Sequence, residues 1–172
     1  VLPSEHSRFS RQFYEWALIK KGLDHMKRSE YSDAVVALIK SKEWPENLGL
    51  GRPYDPDERL QDYLLGVSYE RLGQKADSEA AYRVVMDYTG EHPDSNLLRT
   101  YLGYIVLMTK GESEAAASIE KIIDSRKSVE SQWVSAIITS DIKKIKDLER
   151  SHSNLFQNFE LKLLKEIIEI IS

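Results

Sequence analysis

The chain has 172 residues, and its 24 lysines and arginines against 28 aspartates and glutamates leave a formal charge of −4. It contains no cysteine, which excludes a disulfide framework, thiol catalysis and any metal site held by thiolates. The mild acidity argues against nucleic-acid binding, which depends on clustered lysine and arginine, and no apolar run approaches the roughly 18–20 residues that span a bilayer. The compartment stays open, with a slight preference for the cytoplasm.

The apolar residues recur at helical spacing from the start of the chain. Phe9, Phe13 and Trp16 show this spacing, and Ile19 and Leu23 continue it. The prolines fall in segments that look like boundaries, and no stretch alternates with period two for long enough to predict a sheet. The sequence therefore predicts an all-α fold.

Capping side chains predict where several helices begin. Asp55-Pro56-Asp57-Glu58 combines an N-cap acceptor, a proline at the first helical position and a reciprocating glutamate. Later helices are expected to follow caps at Asp94 or Ser95, at Ser128 or Ser131, and at Ser140-Asp141. These signals divide the chain into short helices joined by turns.

Three segments of the chain share one register. Each has a glycine, then a small residue and a large apolar residue at fixed distances after it: Gly22, Ala34 and Leu38; Gly66, Ser78 and Tyr82; Gly103, Ala115 and Ile119. A glycine lets a partner helix approach closely, and a small residue fits opposite the gap. The register predicts one helix-turn-helix unit used three times, and three unrelated hairpins in an ordinary bundle are the alternative.

The middle segment resembles the tetratricopeptide repeat through Leu65-Gly66-Val67-Ser68-Tyr69, followed by Gly73 and Tyr82. The resemblance implies an all-α superhelix, a solenoid of about three helical hairpins with C-terminal capping helices, forming one domain over residues 1–172. Its parts are repeat 1 at about 14–44, an insertion loop at 45–57, repeat 2 at about 58–91, repeat 3 at about 95–127, and a degenerate fourth unit with a capping helix at 128–172.

The last predicted helix carries apolar residues around most of its circumference, from Leu155 to Ile171. Burial against the preceding unit would use about half of them. The rest predict a second contact surface, either for a homodimer through this C-terminal helix or for a further domain. Because the chain starts at Val1 and not at methionine, we expect it to be a piece of a larger protein.

The insertion loop, rich in proline and glycine, is not predicted to be helical. We expect Trp44, Leu48 and Tyr54 to anchor it as a structural loop. The alternative is that the loop binds a partner through Glu46 or Arg52, with Asn47 in the same segment. The Gly49-x-Gly51 pair lacks the preceding strand and following lysine of a phosphate loop.

The segment Pro45–Pro53, with Asp62-Tyr63-Leu64-Leu65-Gly66 after it, also resembles a loop in large bacterial proteins of unassigned function. Those proteins carry a sugar-epimerase-like region followed by tetratricopeptide-like repeats. This resemblance implies a carboxy-terminal helical module of a multidomain protein, and it implies no activity for this piece.

No pattern in the sequence indicates catalysis, a metal or a cofactor. The histidines show no metal-ligand spacing, and His25 occupies the repeat position of Tyr69, which favours a packed, hydrogen-bonded histidine over a ligand. Carboxylates are abundant, but nothing in the sequence locates an acid–base pair among them. We therefore predict a protein that is not an enzyme and holds no cofactor.

The tetratricopeptide resemblance assigns one face of each first helix to a concave, apolar groove. The residues assigned to it are Trp16, Ile19, Leu23, Met26, Tyr63, Val67, Arg71, Tyr104 and Met108. Leu23, Val67 and Tyr104 replace the asparagine with which chaperone-binding members hold a peptide carboxylate. Such a groove favours a helix or an apolar extended segment, with the chain's own N-terminal extension or a flanking domain as the alternative occupant.

These observations predict a non-catalytic protein–protein interaction or scaffold module. Its partner would be a protein, a peptide or a neighbouring domain of the same polypeptide, with no nucleic acid and no membrane span. The alternative is an accessory helical domain that packs on or positions a catalytic, carbohydrate-active domain of a larger bacterial protein.

Overall fold

The computed structural model describes residues 5–92, 97–111, 113–125 and 128–171. Within these ranges the chain forms helices and loops and no strand, which confirms the all-α prediction. The helices are α1 (Glu5–Lys27), α2 (Tyr31–Ser41), α3 (Arg59–Arg71), α4 (Lys75–Met86), α5 (Leu97–Lys110), α6 (Ser113–Ser125), α7 (Val129–Ile138), α8 (Ile142–Ser151) and α9 (Phe159–Ile171). No helix in the described ranges combines the length and apolar character needed to cross a bilayer.

The chain divides into two compact units, Val1–Tyr88 and Thr89–Ser172, and the boundary falls near the C-terminal end of predicted repeat 2. The first compact unit holds two helical hairpins, α1 with α2 and α3 with α4, and α2 packs against both α1 and α3. A 3-10 turn at Glu46–Leu48 interrupts the long connection from α2 to α3.

The turns of these two hairpins have the same backbone geometry. Ser29 and Gly73 have positive φ values of 59° and 74°. After each of them a backbone N–H bonds back to the end of the first helix, from Glu30 to the His25 carbonyl and from Gln74 to the Tyr69 carbonyl, both at 2.9 Å. This is the left-handed helix termination that closes many α-helices. The two repeats therefore share a turn as well as a register.

The predicted packing around the aligned glycines is confirmed in both hairpins of this unit. A Cβ atom at Gly22 would lie 2.9 Å from Leu38 Cγ, and one at Gly66 would lie 2.6 Å from Tyr82 Cε1. Opposite Gly66, the Ser78 hydroxyl donates to the Gly66 carbonyl at 2.8 Å. Only glycine leaves room for such close helix contacts. The Ala115 side chain of repeat 3 lies outside the described residues.

The second compact unit contains the hairpins α5 with α6 and α7 with α8, and α9 packs against α5. Trp133 of α7 is 1% exposed, donates its indole N–H to Glu149 of α8 at 3.1 Å, and stacks near Phe156. Lys165 of α9 bonds the same glutamate at 3.1 Å. Glu149 therefore links three helices of this unit.

The capping predictions have mixed outcomes. Ser128 accepts a hydrogen bond from the Ser131 backbone and Asp141 from the Lys144 backbone, which confirms the caps of α7 and α8. The predicted cap at Asp55 is wrong because α3 begins at Arg59, where Asp57 Oδ1 accepts from the backbone N–H of Arg59. Asp94 and Ser95 lie outside the described residues.

Four of the eight apolar side chains of α9 pack inside their own unit. The buried ones are Leu161, Leu163, Leu164 and Ile167. Phe159 at the start of the helix is 59% exposed. Ile168, Ile170 and Ile171 are partly exposed, so α9 keeps part of its apolar surface uncovered.

Candidate functional site

Six of the nine predicted groove side chains lie in the interior of their compact units. Ile19, Leu23, Met26, Tyr63, Val67 and Tyr104 are each at most 6% exposed. They are buried because each first helix packs against its neighbours on more than one side. Of the predicted set, a partner can contact Trp16, which is partly exposed, and Arg71 and Met108, which are exposed.

The buried tyrosine of this set has a structural role in the second hairpin. The Tyr63 ring meets the Tyr82 ring edge-on, with centroids 6.2 Å apart, and the Tyr82 hydroxyl donates to Glu70 at 2.9 Å. Burial, together with the Glu70 carboxylate, raises the pKa of both phenols above their usual value. Both side chains therefore stay neutral and hold α3 against α4.

The insertion loop lies on the N-terminal half of α1. The Arg11 guanidinium stacks over the Trp44 ring at 4.0 Å from its centroid and donates to the Ser41 carbonyl at 3.1 Å. A Cβ atom at Gly49, whose φ is 71°, would lie 3.0 Å from Ser7 Oγ. Trp44 is thus an anchor of the loop, as predicted.

The other predicted loop residues differ in their exposure to solvent and in their contacts. Tyr54 is fully exposed, so the expectation that it anchors the loop is wrong. Glu46 and Asn47 are exposed on the 3-10 turn, and Leu48 is partly buried. Arg52 bonds Glu58 at 2.9 Å, so it fixes the end of the loop to the start of α3.

A buried polar cluster, which was not predicted from the sequence, joins the loop to α1 and α3. Gln61 donates to Glu15 at 2.6 Å, and Lys42 bonds Asp62 at 2.7 Å. Burial raises the pKa of both Glu58 and Asp62, although nearby cations oppose the shift. Glu58 Oε2 has almost no solvent contact, so a substrate has no access to that oxygen. The arrangement indicates a structural cluster that positions the loop.

His25, Glu30 and Asp33 form the one group of metal-ligating type found among the described residues, with their ligand atoms within 4.8 Å of one another. His25 Nδ1 lies 2.7 Å from Glu30, and the Arg28 guanidinium bonds the same carboxylate at 2.7 Å. This cation disfavours a divalent metal at the same place. The contacts agree with the predicted packed, hydrogen-bonded histidine.

Two of the large apolar side chains exposed in the first compact unit lie on α1, and the others among its described residues are Val36, Ile39, Tyr54, Leu72 and Val84. Phe9 and Phe13 are 67% and 68% exposed, and Trp16, one turn further on, is partly exposed. We call Phe9, Phe13 and Trp16 the α1 aromatic stripe. The two phenylalanines each expose on the order of 130 Å² of apolar surface. An open depression beside them is lined by Glu5, His6, Arg8, Phe9 and Gln12.

The stripe is exposed because it lies on a different side of α1 from the residues that contact α2 and the loop, among them Arg11 and Tyr14. α1 has 23 residues and α2 has 11, and the last residue of α2 accepts its hydrogen bond from Arg11. The first two turns of α1 therefore extend past α2. The loop covers the side of these turns that carries Ser7 and Arg11, and the stripe lies on another side.

Comparisons of the chain with protein-family models, with curated proteins and with solved structures gave no match.

Proposed function

We propose that this chain is a non-catalytic protein-interaction module and that it binds its partner through the α1 aromatic stripe. The observation that carries the proposal is the exposure of Phe9 and Phe13, two large apolar side chains one helical turn apart. Contiguous exposed aromatic surface of this kind marks interaction sites, since a soluble helix face normally carries polar residues in its place. The stripe replaces the predicted groove as the binding surface because most groove side chains are buried.

The proposal includes a tetratricopeptide-like arrangement of the hairpins. The support for it is the shared turn geometry of the first two repeats and the close contacts at Gly22 and Gly66. Hairpins of one design stack by the same faces, and stacking supplies the core that one hairpin lacks. A stacked scaffold holds an exposed helix such as α1 rigidly, which lowers the entropic cost of binding.

An accessory domain that positions a catalytic neighbour remains the second candidate. The observation that favours it is the tip of the insertion loop, where Arg52, Pro53, Tyr54 and Asp55 are all exposed. A fully exposed tyrosine on a loop whose base is fixed by Trp44 suits contact with another domain. In that case substitution of Tyr54 would change the docking of the neighbour and leave the α1 stripe unaffected.

Peptide display against the purified chain tests the proposed function. Peptides selected on the wild-type chain are expected to bind the double variant Phe9→Ser, Phe13→Ser at least about tenfold more weakly, because each phenylalanine loses its burial on binding. The matched control is Val36→Ser with Val84→Ser, since these two valines are also exposed in the same unit. Circular dichroism verifies that both double variants fold.

The control variant should retain the affinity of the wild-type chain. The proposal would be contradicted if the selected peptides bound the Phe9→Ser, Phe13→Ser variant as tightly as the wild-type chain. It would also be contradicted if selections on these two proteins enriched the same peptides.

A further inference from the structure

We infer that the α1 aromatic stripe binds a second copy of this chain, with the two α1 helices antiparallel about a two-fold axis. The inference rests on the proposed function and names its partner. It follows from the order of residues along the exposed face of α1, which reads acid, aromatic, aromatic, aromatic, base.

Five exposed or partly exposed residues lie along this face. Glu5 begins it in the first turn of α1, the three aromatic residues occupy the middle, and Lys20 ends it. At 3.6 residues per turn, their spacing keeps all five within about a quarter of the helix circumference. The face is about 22 Å long, since each helical residue advances by about 1.5 Å.

An antiparallel copy of the same face matches this order. When the axis passes between Gln12 and Phe13, Phe9 faces Trp16 of the second copy and Glu5 faces Lys20 of the second copy. The two-fold axis repeats both contacts, as it must in an isologous dimer. A parallel pair would instead place Glu5 against Glu5 and Lys20 against Lys20, and like charges at both ends disfavour it.

The charged ends are accessible to a second copy. Glu5 is exposed, and the Lys20 side chain is 55% exposed. Lys20 also reaches Asp24 at 3.8 Å, but an ion pair between two exposed side chains is weak, so the ammonium group can turn to a new carboxylate. Charge therefore selects the antiparallel orientation, and the aromatic side chains supply the contact area.

The interface is small. Two stripes bury less than the roughly 1,200 Å² typical of stable complexes, so the dimer is expected to be weak and to depend on protein concentration. The α9 helix offers a poorer surface for a second copy because four of its eight apolar side chains are buried, and among the other four only Phe159 is more than partly exposed.

Analytical ultracentrifugation of the intact chain, from about 1 μM to about 1 mM, tests the inference in the range where interfaces of this size dissociate. The wild-type chain is expected to pass from monomer to dimer. Glu5→Lys and Lys20→Glu should each weaken the dimer about tenfold, because each replaces two attractive contacts by two repulsive ones. A mixture of the two variants should recover the wild-type dimer, because both end contacts of the mixed pair again join a lysine to a glutamate.

Charge reversals elsewhere provide the control. Glu79→Lys and Lys75→Glu exchange the charges of an exposed pair on α4 and should leave the dimer unchanged. A second measurement uses the absence of native cysteine: Gln12→Cys, beside the axis, should form an intermolecular disulfide on oxidation, while Asp77→Cys on α4 should not.

A chain that stays monomeric at every concentration would overturn the inference. So would a dimer that forms equally well with Glu5→Lys, with Lys20→Glu and with their mixture. If the chain is monomeric and the selected peptides still depend on Phe9 and Phe13, the inference fails and the proposed function stands. If the dimer follows the charge pattern and no peptide depends on the stripe, the stripe serves self-association alone.

Discussion

Replacing Gly66 by alanine tests the close helix contact on which the repeat is built. A Cβ atom at this position would lie 2.6 Å from Tyr82 Cε1 and 2.7 Å from Cδ1. Ordinary carbon contacts lie at about 3.5 Å or more, so the ring or the helix would have to move by about 1 Å. Tyr82 resists this movement because its hydroxyl is bonded to Glu70 and its ring packs on Tyr63.

Two opposing effects decide the outcome of Gly66→Ala. Alanine is a better helix former than glycine by about 1 kcal/mol, which favours the variant. Forcing an extra methyl group into a packed interface costs about 1–3 kcal/mol, and loss of the Tyr82 hydrogen bond to a carboxylate adds about 1.5–3 kcal/mol if the ring is displaced. The two costs outweigh the gain in helix propensity, and with both counted we expect a net destabilisation of about 1.5–5 kcal/mol.

Urea unfolding followed by circular dichroism at neutral pH measures this change. Gly51→Ala is the control, because a Cβ atom there meets no other atom within 4 Å. Gly22→Ala is expected to destabilise the chain less, since its Cβ atom would meet the branched end of Leu38, which can rotate away. The double variant Gly66→Ala, Tyr82→Leu should recover part of the loss, because leucine fills this place in repeat 1.

The reasoning would be refuted if Gly66→Ala were as stable as the wild-type chain. It would also be refuted if Gly66→Ala lost the same free energy of unfolding with Tyr82→Leu as without it, since contact between the two side chains requires a coupling between their effects.

Two further predictions concern the loop and its polar cluster. Burial raises the pKa of Glu58 above its usual value near 4.5, so the folded state holds this proton more tightly, and stability is lost as the pH rises through that value. The melting temperature of Glu58→Gln should therefore improve relative to the wild-type chain between about pH 4 and pH 7. A constant difference over this range would contradict the assignment. Trp44→Ala should lose the contact with Arg11, destabilise the chain by about 1–2 kcal/mol and speed limited proteolysis within the insertion loop. Tyr54→Ala should match the wild-type chain, because this side chain is fully exposed. Equal cleavage of the two variants would rule out the anchoring role of Trp44.

The contacts between the two helices of one hairpin were predictable from the sequence. Glycine, small residue and large residue recur at fixed spacing because two helices joined by a short turn can meet in few ways. The caps at Ser128 and Asp141 were predictable for the same local reason, since an N-cap bonds a backbone N–H only a few residues away. The start of α3 was misplaced because Asp55 and Asp57 both have capping side chains, and only the packing of Arg59 selects between them.

The exposure of the proposed binding surface depends on contacts between distant parts of the chain. Periodicity identified Phe9 and Phe13 as residues of a helix, but their exposure depends on which side of α1 packs against α2 and the loop. Tyr63 and Val67 were assigned to an accessible groove by their position in the repeat, and the packing of α3 against its neighbours buries them.

The sequence by itself determined that the fold is helical and at which positions the residues of each hairpin recur. It also excluded disulfides, thiol catalysis and thiolate-held metals, because the chain has no cysteine. Local spacing and side-chain type suffice for these properties, because helices and turns form between residues that are close along the chain. Tertiary structure alone decided that Tyr54 stays exposed, and that α2 and the loop leave the aromatic face of α1 uncovered. The burial of a side chain depends on the residues that pack against it, and these can be far away along the chain. Glu15 of α1, for example, accepts a hydrogen bond from Gln61, which is 46 residues later in the sequence.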